Sequence, residues 1–187
     1  MGIKLPPLSL YVHVPWCIRK CPYCDFNSHQ VRDEIPESLY LDRLISELES
    51  EQHLTSGRPI HSIFIGGGTP SLLNPESYVR LIEAVKRNYT LEPGAEITME
   101  ANPGTFEQEK FEGFANAGIN RLSIGVQSFD DERLKALGRI HTGGEAVKAI
   151  ESAKKLFQRT NIDLMHGLPG QTPEAALNDL KQATIRA

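Results

Sequence analysis

The chain has 187 residues, a formal net charge of −4 and a hydrophobic fraction of 40%, with 15 Gly, 12 Pro and three Cys. These values are typical of a globular protein with one sizeable core, and they exclude a collagen-like, disordered or disulfide-stapled chain. The mild acidity gives no support for nucleic-acid binding, and no apolar run approaches the ~20 residues needed to cross a bilayer.

Apolar periodicity divides the chain into alternating strands and helices. The predicted strands are Leu8–Val14, Ser62–Gly66, Glu96–Asn102, Arg121–Gln127 and Asn161–His166. The predicted helices are Glu37–Leu54, Asn74–Tyr89, Thr105–Ala117, Asp130–Leu137, Gly144–Phe157 and Thr172–Arg186. Strand followed by helix, repeated along the chain, predicts an α/β fold with a parallel sheet and helical crossovers.

Four of the strands alternate apolar with polar residues, as in Glu96–Asn102, where Ile97 and Met99 are flanked by Thr98 and Glu100. One alternative is a sheet with a solvated face, which is common in antiparallel proteins. The βα order argues against it, because both faces of a parallel sheet are usually covered. We therefore expect an open or partial barrel whose polar interior holds a cofactor near the carboxyl ends of the strands.

All three cysteines lie in the loop after the first strand, as Cys17, Cys21 and Cys24. An odd, tightly grouped set fits a disulfide scaffold poorly. Three thiolates can hold three irons of a cubane cluster and leave the fourth iron open, or they can bind zinc together with one histidine. His29 is the candidate fourth ligand for a Cys3His zinc site. We favour the iron–sulfur cluster, because a polar barrel interior suits a larger cofactor.

A glycine triplet follows the second strand, in the segment Gly66–Pro70. The missing side chains would let backbone groups approach a ligand closely. The segment lacks the Lys-Ser/Thr of a P-loop and the G-x-G-x-x-G order of a dinucleotide turn, so we do not predict phosphate binding. A plain turn is the alternative, but the position of the triplet at the same mouth as the cysteines favours a ligand.

The cysteine spacing, with Tyr23 just before the last Cys, resembles the radical S-adenosyl-L-methionine (SAM) motif. Five surrounding segments are similar to one branch of that group, the oxygen-independent coproporphyrinogen III oxidase-like family. These segments are Tyr11–Cys17, Gly66–Pro70, Glu100–Pro103, Arg121–Phe129 and Asn161–Pro169. The resemblance extends from about residue 8 to residue 172 and implies a partial (β/α)6-type barrel.

The resemblance also implies the cofactors and their contacts. Cys17, Cys21 and Cys24 would hold a 4Fe–4S cluster, and SAM would chelate the open iron through its methionyl amino and carboxylate groups. The positions that match SAM contacts of the family are Tyr11, Tyr23, Gly67, Gly68, Thr69, Glu100, Gln127, Arg139 and Asp163. Of these, the glycine-loop residues would meet the methionyl group, Glu100 the ribose hydroxyls, and the backbone at Tyr23 the adenine, while Tyr11 would lie beside the cluster loop. Periodicity says nothing of Arg139, which could equally be a surface residue capping a helix end.

One departure from the family pattern distinguishes two branches. The oxidase has a further Cys two positions after the last cluster ligand, where this chain has Phe26. Together with the short segment before the first strand, this resembles the HemW-type heme chaperone branch. That resemblance implies heme, heme-acceptor proteins and an electron donor for the cluster as partners. The oxidase remains the alternative, so whether the protein is an enzyme stays open, and no catalytic residue beyond the cluster is assigned.

The predicted strands fall one short of the six βα units of the family barrel. We therefore expect residues 1–187 to be a radical SAM core domain truncated at its C-terminus, with the sixth strand and a C-terminal domain absent. The first residues contain no long apolar segment typical of a secretory signal, so we expect a cytoplasmic protein.

Overall fold

A computed structural model describes residues 5–186, apart from the side chains of Thr105 and Phe106. Its strands are β1 (Leu8–Val14), β2 (Trp16–Cys17), β3 (His29–Gln30), β4 (Ile60–Gly67), β5 (Leu91–Ala101), β6 (Arg121–Gln127) and β7 (Arg159–Leu164). Five of them form one sheet in the order β1-β4-β5-β6-β7, and every neighbouring pair is parallel. The short β2 and β3 form a separate parallel pair.

Helices connect the successive strands of the main sheet. They are α1 (Glu37–Ser50), α2 (Pro75–Asn88), α3 (Thr105–Gln108), α4 (Phe111–Asn116), α5 (Asp131–Ala136), α6 (Gly143–Leu156) and α7 (Pro173–Arg186), with 3-10 turns at Gln52–Thr55 and Pro70–Leu72. The prediction of an α/β fold with a parallel sheet is confirmed. In the described part of the chain, none of the helices is long and apolar enough to span a membrane.

The hydrophobic core lies between the helices and one face of the sheet. Alternate strand residues supply it, among them Ile65, Met99, Leu122 and Ile124, which have no measurable exposure. Each such side chain contributes roughly 2 kcal/mol to stability when it is removed from water. The helices that cover this face are amphipathic, and α2 for example turns Tyr78, Leu81, Ile82 and Val85 into the core.

The opposite face of the sheet carries the polar residues that the alternating pattern predicted. Glu100, Ser123, Gln127 and Asp163 line a cavity on this face. Within residues 5–186, no sixth strand pairs with either edge of the sheet, so the strands form a partial barrel that is open between β1 and β7. The prediction of a partial barrel with a polar interior and five of its strands is therefore confirmed.

Several features differ from the sequence prediction, and among the strands β5 begins at Leu91 rather than at Glu96. The helix expected over Thr105–Ala117 is split into α3 and α4, because the Lys110 N–H bonds to the Glu107 carbonyl in a tight turn. The helix expected to reach residue 54 ends at Ser50 and continues as a 3-10 turn. The pairing of β2 with β3 was not predicted, since two-residue strands carry no periodic signal.

Candidate functional site

A cavity of about 290 Å³ opens at the carboxyl ends of the central strands, beside the loop that follows β1. All predicted site residues except Tyr11 line it, namely Cys17, Cys21, Tyr23, Cys24, Gly67, Gly68, Thr69, Glu100, Gln127, Arg139 and Asp163. Eight further residues line it that the prediction did not include, namely Arg19, Phe26, Ser28, Pro70, Ala101, Asn102, Ser123 and Gly125. The cavity has the position expected for a ligand site in a βα fold.

The cysteine loop forms one wall of the cavity. Its three thiols are free; Cys17 is buried, while Cys21 and Cys24 are half-buried. A turn closes between the last two, where the Cys24 N–H donates to the Cys21 carbonyl at 3.1 Å. The β2–β3 pair closes the base of the loop, and the Val31 N–H donates to the Cys17 carbonyl at 2.8 Å. Backbone hydrogen bonds therefore fix both ends of the thiol-bearing segment.

The placement of His29 argues against a Cys3His zinc site. The side chain is exposed on β3 and lines a separate surface depression with Trp16 and Lys20, outside the cavity that the thiols face. Across the described residues, no group of three or more His, Cys, Asp or Glu side chains is placed to hold a single metal ion. A zinc ion needs its ligands within about 2.3 Å of one point, whereas each thiolate of a cubane cluster binds a different iron. The donor set therefore fits a cluster better than zinc.

The glycine loop packs directly against the segment that leads into the first cysteine. Gly68 N–H donates to the Val14 carbonyl and Thr69 N–H to the Trp16 carbonyl, both at 2.7 Å. A Cβ at Gly68 would lie 2.5 Å from the Trp16 oxygen, and Gly67 has a left-handed φ of 112°. The glycines are thus required by neighbouring protein atoms, which is a different reason from the ligand approach that the sequence suggested.

Two carboxylates face the cavity, Glu100 from β5 and Asp163 from β7. Glu100 is half-buried and accepts a hydrogen bond from the Gly67 N–H at 3.3 Å. Burial raises the pKa of Glu100, and the nearby Asp163 carboxylate adds to this rise. Asp163 accepts hydrogen bonds from Ser123 at 2.9 Å and Asn161 at 2.7 Å. Glu100 keeps an acceptor oxygen for a ligand hydroxyl, because among the described residues only its Oε2 has a protein donor.

Arg139 connects the cysteine loop to the sheet. Its Nη2 donates to the Asn102 side chain and to the Gly125 carbonyl, both at 2.7 Å, and its Nη1 lies 3.8 Å from the Cys21 sulfur. These contacts place the guanidinium in the cavity wall, so the alternative of a surface residue capping a helix end is wrong. Tyr23 lies on the same wall, and burial raises the pKa of its hydroxyl.

Tyr11 lies on the polar face of the sheet but does not line the cavity. Its ring stacks on Phe64 at 6.3 Å between centroids, and its hydroxyl lies 3.0 Å from the His13 Nδ1. Burial raises the pKa of Tyr11, and the Glu100 carboxylate adds to the rise. The period-two pattern thus gave the correct face for Tyr11 but not its distance from the cavity.

Membership of a family follows from comparison with known proteins. The model of the Radical SAM superfamily matches residues 11–183. The chain belongs to the radical SAM superfamily. Its similarity to Heme chaperone HemW of Haemophilus influenzae is 52% identity over 185 residues, which is 96% of this chain and 48% of that protein. Against HemW of Escherichia coli it is 53% over 182 residues, covering 97% of this chain and 48% of the relative.

A solved structure gives the same superfamily. Coproporphyrinogen III oxidase HemN of Escherichia coli, described as a radical SAM enzyme, superimposes with a TM-score of 0.86 at 35% identity. The match covers 97% of this chain and 42% of HemN. The chain spans about half the length of the curated relatives it matches.

The residues present fit the two cofactors that a radical SAM family implies. Three free thiols on one short loop suit the cluster, because they leave no fourth protein thiolate for the remaining iron. A half-buried carboxylate and several backbone groups line the adjoining space, which suits the hydroxyl and amino groups of SAM. Of the missed lining residues, Asn102 had a signal in the sequence, because it lies in the Glu100–Pro103 segment. In the structure its amide donates to the Thr69 hydroxyl at 3.3 Å.

Proposed function

We propose that the chain is the cluster- and SAM-binding core of a heme chaperone, which delivers heme to acceptor proteins. The observation that carries this proposal is the identity of 52% and 53% with two proteins named HemW, against 35% with the oxidase HemN. The relatives are about twice as long, which supports an assignment of residues 1–187 to the core domain and of heme handling to the longer protein.

The cavity residues divide between the two cofactors. Cys17, Cys21 and Cys24 would hold three irons of a 4Fe–4S cluster, each through one thiolate. When bound, the cluster and SAM supply one-electron reductive chemistry at the open iron, and the protein supplies orientation. The glycine loop would meet the methionyl group through its backbone, and Glu100 would accept hydrogen bonds from the ribose hydroxyls.

The remaining predicted residues would complete the SAM site. Gln127, Arg139 and Asp163 line the same cavity, and the Arg139 guanidinium links it to the cysteine loop. Tyr23 offers its backbone to the adenine from the cysteine-loop wall, and Tyr11 stays near the cluster loop beside Glu100. All of these residues except Tyr11 line the same cavity, which supports a single SAM site.

Phe26 favours the chaperone over the oxidase. It stands where the oxidase family has a further cysteine, and its side chain lines the cavity with an exposed fraction of 61%. A phenyl ring can neither ligate iron nor transfer a proton. We therefore expect no decarboxylation of coproporphyrinogen by a protein that carries this site.

Three cysteines free of disulfides suit a reducing compartment, so we propose a cytoplasmic location, where an electron donor can reach the cluster. The net charge of −4 gives no support for a nucleic-acid partner.

Anaerobic reconstitution with iron and sulfide tests the core of the proposal. We expect 4Fe–4S absorbance and, after reduction, a spin signal that changes when SAM is added. Cys17→Ser, Cys21→Ser and Cys24→Ser should each abolish the cluster, whereas His29→Ala should retain it. Loss of metal binding in His29→Ala would instead support the zinc site.

The second test uses the longer protein that contains this chain. We expect it to bind heme and to transfer it to an acceptor, and to leave coproporphyrinogen unchanged under reducing conditions with SAM. Decarboxylation of coproporphyrinogen would overturn the chaperone assignment in favour of the oxidase.

A further inference from the structure

The last residues of β6 form a strained turn directly below the cavity. Gln127 has a φ of 67°, and the only other non-glycine residue with positive φ in the described part of the chain is Ser56 in a loop. The Ser128 N–H donates to the Val126 carbonyl at 2.9 Å, which closes a three-residue γ-turn with Gln127 at its centre. A turn of this kind is rare and costs free energy, so it persists only where its surroundings hold it.

Buried polar side chains hold one side of this turn. Asp179, on α7, accepts hydrogen bonds from the Ser128 hydroxyl at 2.7 Å and from the Phe129 N–H at 2.9 Å. Ser128 is fully buried and Asp179 is only 4% exposed. A buried carboxylate with two donors binds its partners strongly, because leaving it unpaired is expensive.

His141 holds the other side. Its Nε2 lies 3.1 Å from the Val126 carbonyl, and the ring is 4% exposed. The carbonyl can only accept, so the Nε2 carries the proton and donates. Burial lowers the pKa of His141 to about 4, which keeps the ring neutral at neutral pH with its single N–H committed to this bond. The same carbonyl thus accepts from both His141 and Ser128.

The clamped turn directs Gln127 into the cavity. Its side-chain amide lies over Gly125, where an added Cβ would come within 3.1 Å of the Gln127 Nε2 and 3.3 Å of the Arg139 Nη2. The Gln127 carbonyl accepts from the Met165 N–H at 2.9 Å, which ties the turn to the end of β7. Strand alternation already places Gln127 on the cavity face, opposite Val126, and the left-handed φ then sets the direction in which its side chain leaves the backbone.

We propose that His141 and Asp179 are positioning residues, which hold the Gln127 turn in its left-handed conformation so that the Gln127 amide faces SAM. The inference rests on the proposed function for its ligand. Its structural half, the stability of the turn, can be measured without any cofactor.

The first experiment measures amide hydrogen exchange in the cofactor-free chain. His141→Leu removes the donor to Val126, while His141→Gln keeps an N–H at a similar reach. We expect about tenfold faster exchange at Ser128 and Met165 in His141→Leu and near wild-type exchange in His141→Gln. Unchanged exchange at these two amides in His141→Leu overturns the inference, whatever the cofactor results.

The second experiment is a double-mutant cycle on SAM affinity in the reconstituted chain. We expect His141→Leu and Asp179→Asn each to weaken SAM binding by about tenfold at unchanged cluster content. In a Gln127→Ala background, His141→Leu should cause no further loss, because it acts through Gln127. Equal losses in both backgrounds would show a general structural role and refute positioning.

Tyr89→Phe is the matched control, since it removes a side-chain hydrogen bond to the Leu48 carbonyl far from the cavity. We expect it to lower stability without changing SAM affinity. A wild-type chain that takes up the cluster but no SAM refutes the proposed function and the ligand half of this inference together. Tight wild-type SAM binding that His141→Leu leaves unchanged refutes the inference alone.

Discussion

The contact between the glycine loop and the first cysteine segment predicts a large effect of a single methyl group. In Gly68→Ala, the new Cβ would lie 2.5 Å from the Trp16 oxygen, 2.9 Å from its carbonyl carbon and 3.0 Å from its nitrogen. All three are backbone atoms, so no side-chain rotation can relieve the clash. Ordinary contacts of a Cβ begin at 3.4 Å, and the two segments must therefore separate by about 1 Å.

The cost follows from what this separation breaks. Overpacking of a tight contact costs about 1–3 kcal/mol. Loss of the Thr69 N–H bond to the Trp16 carbonyl, which is 2.7 Å long, adds about 1 kcal/mol. A chain of this size loses roughly 2–4 °C in Tm per kcal/mol, so we expect a decrease on the order of 5–15 °C. Because Cys17 directly follows Trp16, the cluster content after reconstitution should fall as well.

The assay is thermal unfolding of the cofactor-free chain, followed by iron and sulfide analysis after reconstitution. Gly144→Ala is the matched control, because its Cβ would meet only the Thr142 hydroxyl at 3.9 Å within helix α6. We expect this control to be neutral or up to about 1 kcal/mol more stable. A Gly68→Ala chain with the Tm and cluster content of Gly144→Ala would refute the close packing of the two segments.

Three other substitutions have defined outcomes. Burial raises the pKa of Glu100 above its ordinary value of 4.5, so the native chain retains a proton that the unfolded chain releases, and its stability falls as pH rises above 4.5. Glu100→Gln should flatten this dependence of stability on pH, measured by thermal unfolding, and should raise the Tm at pH 7. It should also weaken SAM binding. An unchanged pH dependence would contradict the burial of the carboxyl. Thr142→Ala removes the capping box with Glu145 and should cost about 1 kcal/mol in denaturant unfolding without changing SAM affinity. Arg139→Lys loses the two-pronged contact with Asn102 and Gly125, and equilibrium dialysis should show weaker SAM binding at equal cluster content; unchanged affinity would count against a role in the site.

The sequence predicted the sheet well because the relevant signals are local. Leu8–Val14 and Arg121–Gln127 were predicted with the bounds that the structure has. In these strands every second residue is apolar, and burial of one sheet face requires that period of two. The same period identified the polar face before any contact was known, which is why Glu100, Gln127 and Asp163 were found from the pattern.

Features that depend on distant segments were not predictable in this way. Arg139 follows a short helix, and only the folded chain brings it to Cys21 and Asn102. In the sequence, the segment that forms the γ-turn at Gln127 looks like the end of an ordinary strand. The residues that hold the turn, His141 and Asp179, follow later in the chain, so no local pattern marks it. No local propensity encodes a bond between residues that far apart in sequence.

The two faces of the sheet carry different parts of the free energy. The apolar face holds side chains such as Ile65 and Met99 that are wholly withdrawn from water, and it accounts for most of the stability. The cavity face holds a half-buried carboxylate with a raised pKa and a left-handed Gln127, and both are unfavourable for folding alone. Selection for stability alone would not retain a buried carboxylate or a strained backbone at these positions. Their presence at the rim of one cavity, next to three thiols free of disulfides, is best explained by a site built for ligands. The increase in Tm expected for Glu100→Gln measures what the cofactor-free chain gives up for the Glu100 carboxylate.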